Sequence, residues 1–438
     1  MDMNGETFEQ VSMPSLRIGM FVELGMGWLA HPFPTGSFKI SSAKQIEIIR
    51  GLGLEHVRVN VFKSDPAPAD TGTEAAPSTD TANAATVDSA ADARALAAQR
   101  EQLLRRQRAE QLAAEQKGLA QCEKRFGDAA RQYRKTLELL PSQPKAAAEQ
   151  CQTMVNGMVN EMLTDGESAI RLLSEAAGDK SAMHPVNVTI VALLLGKAMG
   201  LPQADLVDLG MASFLHDTGK AQLPDRVRWP EDNFSTAEYK LYQEHVGFGV
   251  QAAQAMGLGK GVLMAIAQHH ELIDGSGFPT RVKGETMTAA ARILALVNRY
   301  DNLCNPSRPT TALTPHEALA LIFSQLKNRF DSVALSAFIR MMGVYPPGSV
   351  VQVIDERYGM VVSVNSARPL KPRLIVHERG VARHEAPILD LEMAPSVGIR
   401  RSIKPAALPG AAMDFLAPRQ RVCYFFEPVV DPLRAQAV

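Results

Sequence analysis

Little in this chain is extreme, and each shortage removes a class of protein. Its 438 residues contain four cysteines, Cys122, Cys151, Cys304 and Cys423, far apart and without a Cys-x-x-Cys pair. That spacing excludes a disulfide scaffold and fits a reduced, cytoplasmic compartment. Long apolar runs are also missing. The longest, Val186 to Leu201, is interrupted by Gly196 and Lys197, so it is too short and too broken to span a bilayer. The N-terminus lacks the basic and then apolar pattern of a signal peptide. Neither charge sign dominates, since 46 Lys and Arg face 47 Asp and Glu for a net charge of -1. No global basic field therefore points to DNA or RNA. What remains is 46% hydrophobic residues, enough for a sizeable core and, at this length, two or three domains.

Along the chain the pattern changes several times. Residues 11–62 read as a small α+β module, with strand alternation in Val57–Val61 and helical spacing from Ile40 to Leu52, where Ser41 or Ser42 suits the N-cap. His31 and His56 read as structural. Residues 63–95 are rich in Ala, Asp, Thr, Pro and Ser, and read as a flexible acidic linker. Residues 96–179 form a helical segment. In it Leu112, Leu119, Phe126, Tyr133 and Leu140 recur every seven residues, but the positions between them are poor coiled-coil knobs. A seam lying on its own domain therefore competes with a homodimer through this helix. A second helix would place Cys151, Met154, Val155, Met158, Met162 and Leu163 on one face. Residues 180–345 are helix-rich, and Thr314-Pro315-His316-Glu317 has the form of a capping box that leaves His316 on the solvent side. Residues 346–430 carry short strand patterns and read as a small β-rich module.

Five of the ten histidines fall between residues 184 and 270. An apolar helix ends at Phe214-Leu215-His216-Asp217, followed by Gly219 and Lys220. Imidazole and carboxylate suit Fe, Mn or Zn, and adjacent placement lets both reach one metal pair. Lys220 would then stand where a phosphoryl oxygen gains charge. His245 lies on a helical stretch, and His269-His270-Glu271 precedes the turn Asp274-Gly275-Ser276-Gly277-Phe278-Pro279. An isolated His-Asp pair is weak and a lone His245 is usually structural, but the ordered series within a hundred residues is hard to obtain by chance.

That series resembles the HD-GYP family of HD hydrolases over roughly residues 180–345, with Phe278 where the signature Tyr usually stands. Residues 15–62, opening Ile18-Gly19-Met20-Phe21-Val22 and continuing through Trp28 to Phe33, resemble a module often found ahead of such domains. The resemblance implies an all-helical metal-hydrolase domain, so a mainly α chain with small flanking modules. It implies hydrolysis of cyclic di-GMP to linear pGpG or GMP, with other signalling proteins as potential partners. It gives metal-ligand positions to His184, His216, Asp217, His245, His269 and His270, and catalytic roles to Asp217 and Lys220. Substrate contacts fall to Lys220, Arg308, Gly277, Phe278 and Pro279.

Two departures matter. The family's last ligand, an Asp, is replaced by Asn298, with Asp301 nearly a full turn further on, and a Glu found in trimetal members is replaced by Lys180. Two divalent ions, iron or manganese, are therefore expected rather than three, and bound more weakly. A catalytically weak cyclic di-GMP sensor is the alternative that Asn298 and Lys180 favour. A hydrolase acting on another nucleotide is a third reading.

Overall fold

The computed structural model describes residues 8–24, 37–52, 54, 56–60, 63–65, 85–164, 167–174, 180–229, 234–394 and 397–429. The chain divides into two compact units, Met1–Arg100 and Glu101–Val438.

The first unit is the expected α+β module. Strands β1 (Phe8–Ser12), β2 (Phe21–Glu23), β3 (Ser37–Lys39) and β4 (His56–Asn60) form an antiparallel sheet in the order β1-β4-β2-β3, and helix α1 (Ala43–Arg50) intervenes before β4. Ser42 is the N-cap of α1, its side chain accepting from the Gln45 amide. In β4, Val57 and Val59 are buried while His56 and Arg58 face out, joining Leu16, Val22, Leu24, Ile40 and Ile49 in one core. The Trp28–Phe33 stretch, including His31, lies outside the described residues.

Helix α2 (Ala85–Leu139) starts inside the stretch whose composition suggests a linker. Residues 66–84 lie outside the described residues, but from Ala85 onward the chain is helical. Low hydrophobicity there does not prevent a helix, because Ala and Arg are strong helix formers. The heptad seam packs inward. Tyr133 meets Phe214 edge-on at 5.3 Å, Thr136 Oγ1 lies 3.1 Å from Cys151 Sγ, and Phe126, Ala129 and Ala130 are buried. Helix α3 (Pro144–Thr164) buries Cys151, Val155, Met158 and Met162 against it, while Leu163 is exposed instead of sharing that face.

Next come β5 (Ser168–Leu172), α4 (Lys180–Ala198), α5 (Gln203–Leu215), α6 (Thr236–Ala255), α7 (Lys260–Gln268), α8 (Ala289–Cys304), α9 (Pro315–Leu321) and α10 (Ser332–Met342). Strands β6 (Val350–Val353), β7 (Tyr358–Asn365), β8 (Arg373–Val376), β9 (Ile388–Asp390) and β10 (Ile399–Ser402) are followed by α11 (Gly410–Leu416) and β11 (Tyr424–Pro428). Helix α4 is apolar almost all round, as a central buried helix must be, and it packs on α5, α8 and β11. The expected capping box at Thr314 is formed, and a second one lies at Ser235; His316 hydrogen-bonds the Val344 carbonyl at 2.8 Å.

Residues 346–430 are strand-rich, as expected, and residues 96–179 are helical except for β5, which joins those C-terminal strands. The C-terminal strands form one antiparallel sheet with β5, in the order β10-β6-β7-β5-β11, and β8 pairs with β7 and β9. All five β5 residues are buried, and a single hydrophobic core runs from Cys122 through the helices to Phe426.

Candidate metal centre

The site is assembled where helices end or meet. His184 lies in α4, His216 caps the C-terminus of α5, and Asp217 begins the sharp turn that continues through Lys220. His245 projects from α6, His269 caps α7, and His270 follows it. Two glycines permit this convergence. A Cβ on Gly219 would lie 2.0 Å from the His245 carbonyl oxygen and 2.4 Å from the Gly249 nitrogen, so only glycine lets the Asp217 turn rest on α6. A Cβ on Gly277 would meet the His270 oxygen and the Glu271 Cα at 2.5 Å. Glu271 fastens that second turn, its Oε1 accepting from the Thr280 and Arg281 amides at 2.7 and 2.9 Å. Phe278 stacks on His270 at 4.4 Å.

The hydrogen bonds fix the tautomers. His216, His245 and His269 each donate Nδ1–H to the carbonyl three residues earlier, of Ser213, Tyr242 and Ile266, at 2.7, 2.5 and 2.6 Å. His184 Nδ1 donates to Asp301 Oδ2 at 2.6 Å. Each Nε2 is thereby left as a bare acceptor. Yet His184 Nε2 faces His216 Nε2 at 3.2 Å, and His245 Nε2 faces His269 Nε2 at 3.3 Å. With no proton to share, such pairs need a cation between them, and the spacing suits two nitrogens each about 2.1 Å from one ion.

Asp217 stands between the pairs. Its Oδ2 is 3.5 Å from both His184 and His216 Nε2, and its Oδ1 is 3.7 and 3.9 Å from His245 and His269 Nε2. The ligating atoms fall into two groups that share this carboxylate, one with His184 and His216 and the other with His245, His269 and His270. Asp217 Oδ1 and His270 Nε2 are buried without a hydrogen-bond partner, which a native protein tolerates where an ion completes the site. The donor set of neutral imidazoles and one carboxylate fits divalent transition metals.

Electrostatics keeps these groups in ligating form. Burial, with His184 and Lys220 nearby, lowers His216 to about 4. Burial lowers His245 and His269 to about 3, and His270 well below its ordinary value. All four are neutral at physiological pH. Burial opposes ionisation of Asp217, but Lys220, 2.7 Å away, and the surrounding imidazoles hold its carboxyl well below the usual range. Burial works against the Lys220 ammonium too, yet Asp217 and Tyr242 keep its pKa raised.

Some expected site residues stand apart. Asn298 is buried on α8, but its amide oxygen accepts from Asn302 Nδ2 at 2.7 Å. Asp301 does not take its place. Its Oδ2 holds His184, and its Oδ1 accepts from Asn187 and Asn305 at 3.0 and 2.9 Å. Arg308 is exposed beyond α8, just ahead of a short 3-10 turn. Lys180 starts α4, and its side chain lies outside the described residues. Sequence reasoning missed the orienting role of Asp301 and the place of Tyr242, whose ring lies 4.7 Å from that of His245 and 5.5 Å from Lys220 Nζ. Asp301 is not marked by a local pattern because the histidine it holds, His184, lies 117 residues away. Tyr242 sits only three residues before His245, but an aromatic residue at that helical spacing reads as ordinary core.

Helices that converge on imidazoles and one shared carboxylate define a metal-site domain of the HD type. Comparison with known proteins agrees. An HD domain matches residues 158–333, and a domain of unknown function, DUF3391, matches residues 9–151. Over residues 158–333 the helical part of this chain thus matches the HD domain, and within that stretch lies the histidine series that resembles the HD-GYP signature.

Among curated relatives, the chain is similar to the cyclic di-GMP phosphodiesterase PA4108 of Pseudomonas aeruginosa, at 26% identity over 87% of both chains. It is also similar to the cyclic di-GMP phosphodiesterase response regulator RpfG of Xanthomonas campestris, at 31% identity over 34% of this chain and 40% of that one. A third relative is the 3'3'-cGAMP-specific phosphodiesterase 2 of Vibrio cholerae, at 30% identity over 34% of this chain and 29% of that one. No helix among the described residues is long and apolar enough to cross a membrane.

Proposed function

We propose that the chain is a cytoplasmic phosphodiesterase that hydrolyses cyclic di-GMP to linear pGpG or GMP with two divalent cations, iron or manganese. The observation that carries this reading is Asp217, whose two oxygens face two separate imidazole groups. His184 and His216 would hold one cation, His245, His269 and His270 the other, and Asp217 both. Bound there, the cations supply Lewis acidity toward a phosphodiester and lower the pKa of water beside it. Lys220 neutralises charge on the phosphoryl oxygens. Exposed Arg308 offers a second phosphate contact, and the Gly277-Phe278-Pro279 turn shapes one wall of the substrate groove. The relatives named for cyclic di-GMP support the substrate, and the one named for 3'3'-cGAMP makes that dinucleotide the competing candidate.

Asn298 favours a second reading, a sensor that binds cyclic di-GMP without turning it over. Chromatographic detection of pGpG or GMP with manganese or ferrous iron, beside calorimetric binding, separates the two. Product formation supports the enzyme, whereas binding without product supports the sensor. A homodimer through α2 would use residues ahead of Leu119, because the seam beyond is covered by its own domain.

A further inference from the structure

Only three large aromatic side chains are classed as exposed among the described residues, Trp229, Tyr239 and Phe323, and two of them flank the metal centre. The Trp229 ring lies 5.2 Å from Lys220 Nζ, which is itself 2.7 Å from Asp217 Oδ2. Tyr239 packs edge-on to Phe278 at 5.9 Å, and Phe278 stacks on His270. The segment leading into Trp229 is anchored. Arg228 Nε donates to the Lys220 carbonyl and its Nη2 to the Leu223 carbonyl, both at 3.1 Å. Leu223 and Val227 are buried in a small core with Tyr242 and Phe278. With all this support, Trp229 is still 43% exposed. A large ring left in water beside a charged site, next to the anchored Arg228, is a surface prepared for a flat apolar partner.

We infer that Trp229 is a base-stacking platform, on which one purine of the cyclic dinucleotide lies while its phosphate reaches Lys220 beside the metal centre. The inference rests on the proposed function. Purine stacking on an aromatic face is tolerant of base identity, so this residue sets affinity for dinucleotides over simple phosphodiesters without choosing between guanine and adenine.

The chain has only two tryptophans, Trp28 and Trp229. In full-length, metal-loaded Trp28→Phe protein, Trp229 is therefore the sole indole reporter. Titration with cyclic di-GMP should quench its emission with the dissociation constant that calorimetry gives. Trp229→Ala should weaken calorimetric binding about tenfold, equivalent to ~1.4 kcal/mol, and Trp229→Phe should recover most of it. Calorimetric binding without quenching, together with an unaltered constant in Trp229→Ala, overturns the platform and leaves the enzyme reading standing. Absence of calorimetric binding to the metal-loaded wild type sinks the underlying functional reading instead.

Discussion

At position 298 an amide stands where the resemblance calls for a carboxylate, and its oxygen is taken up by Asn302. A carboxylate there would keep that hydrogen bond and add a buried negative charge on α8, the helix that carries Asp301. Asn298→Asp is therefore expected to raise metal content in protein prepared at limiting manganese, measured by elemental analysis. Unchanged content would place position 298 outside the metal shell. Asp301 acts differently, because both its oxygens accept from donors and one of those donors is His184. Asp301→Asn turns an NH2 toward those donors and releases the ring. Metal affinity should fall roughly 10- to 100-fold in chelator competition, the usual effect of losing a ligand's orienting partner.

At the scale of elements, the site depends on how closely the Asp217 turn rests on α6. Gly219→Ala puts a methyl against backbone atoms of His245 and Gly249, which cannot rotate away. The expected loss exceeds about 3 kcal/mol, above the usual range for overpacking, together with loss of metal. Gly247, on the same helix, has nothing within 4 Å of an added Cβ. Gly247→Ala should be neutral or stabilising by up to about 1 kcal/mol. Denaturant midpoints of the two variants test the contrast.

What was legible in the sequence at this scale was local. The capping box at Thr314, the Ser42 cap and the histidine series each announce themselves within a few residues. Strand β5 did not, because Ile170 pairs with Val364 and Phe426, partners that no window around residue 170 contains. The start of α2 was misplaced for another reason. Composition reports whether a segment can bury a core, not whether its backbone is helical.

Across the larger unit, the C-terminal sheet supports the metal centre. Asn187 and Asn305, which hold Asp301, also bind the Val422 carbonyl at 2.7 and 2.9 Å, and the Val422 and Tyr424 amides donate back to them at 2.8 and 2.9 Å. A chain of hydrogen bonds thus runs from the β11 segment through Asp301 to His184. The sheet also shares the core of the helices. Ending the chain at residue 345 would strip α4 and α8 of this cover, so the truncated protein should be insoluble or molten rather than an independent HD domain. Circular dichroism and hydrogen exchange would show this, and a cooperative, metal-loaded 1–345 fragment would refute it.

The shared carboxylate is tested most directly by counting ions. Metal-free wild type and Asp217→Asn, each loaded with manganese and freed of excess, should differ as two ions per chain against fewer than about 0.2, because both sites lose a ligand together. An Asp217→Asn protein that still holds two ions would contradict the two-metal centre proposed here.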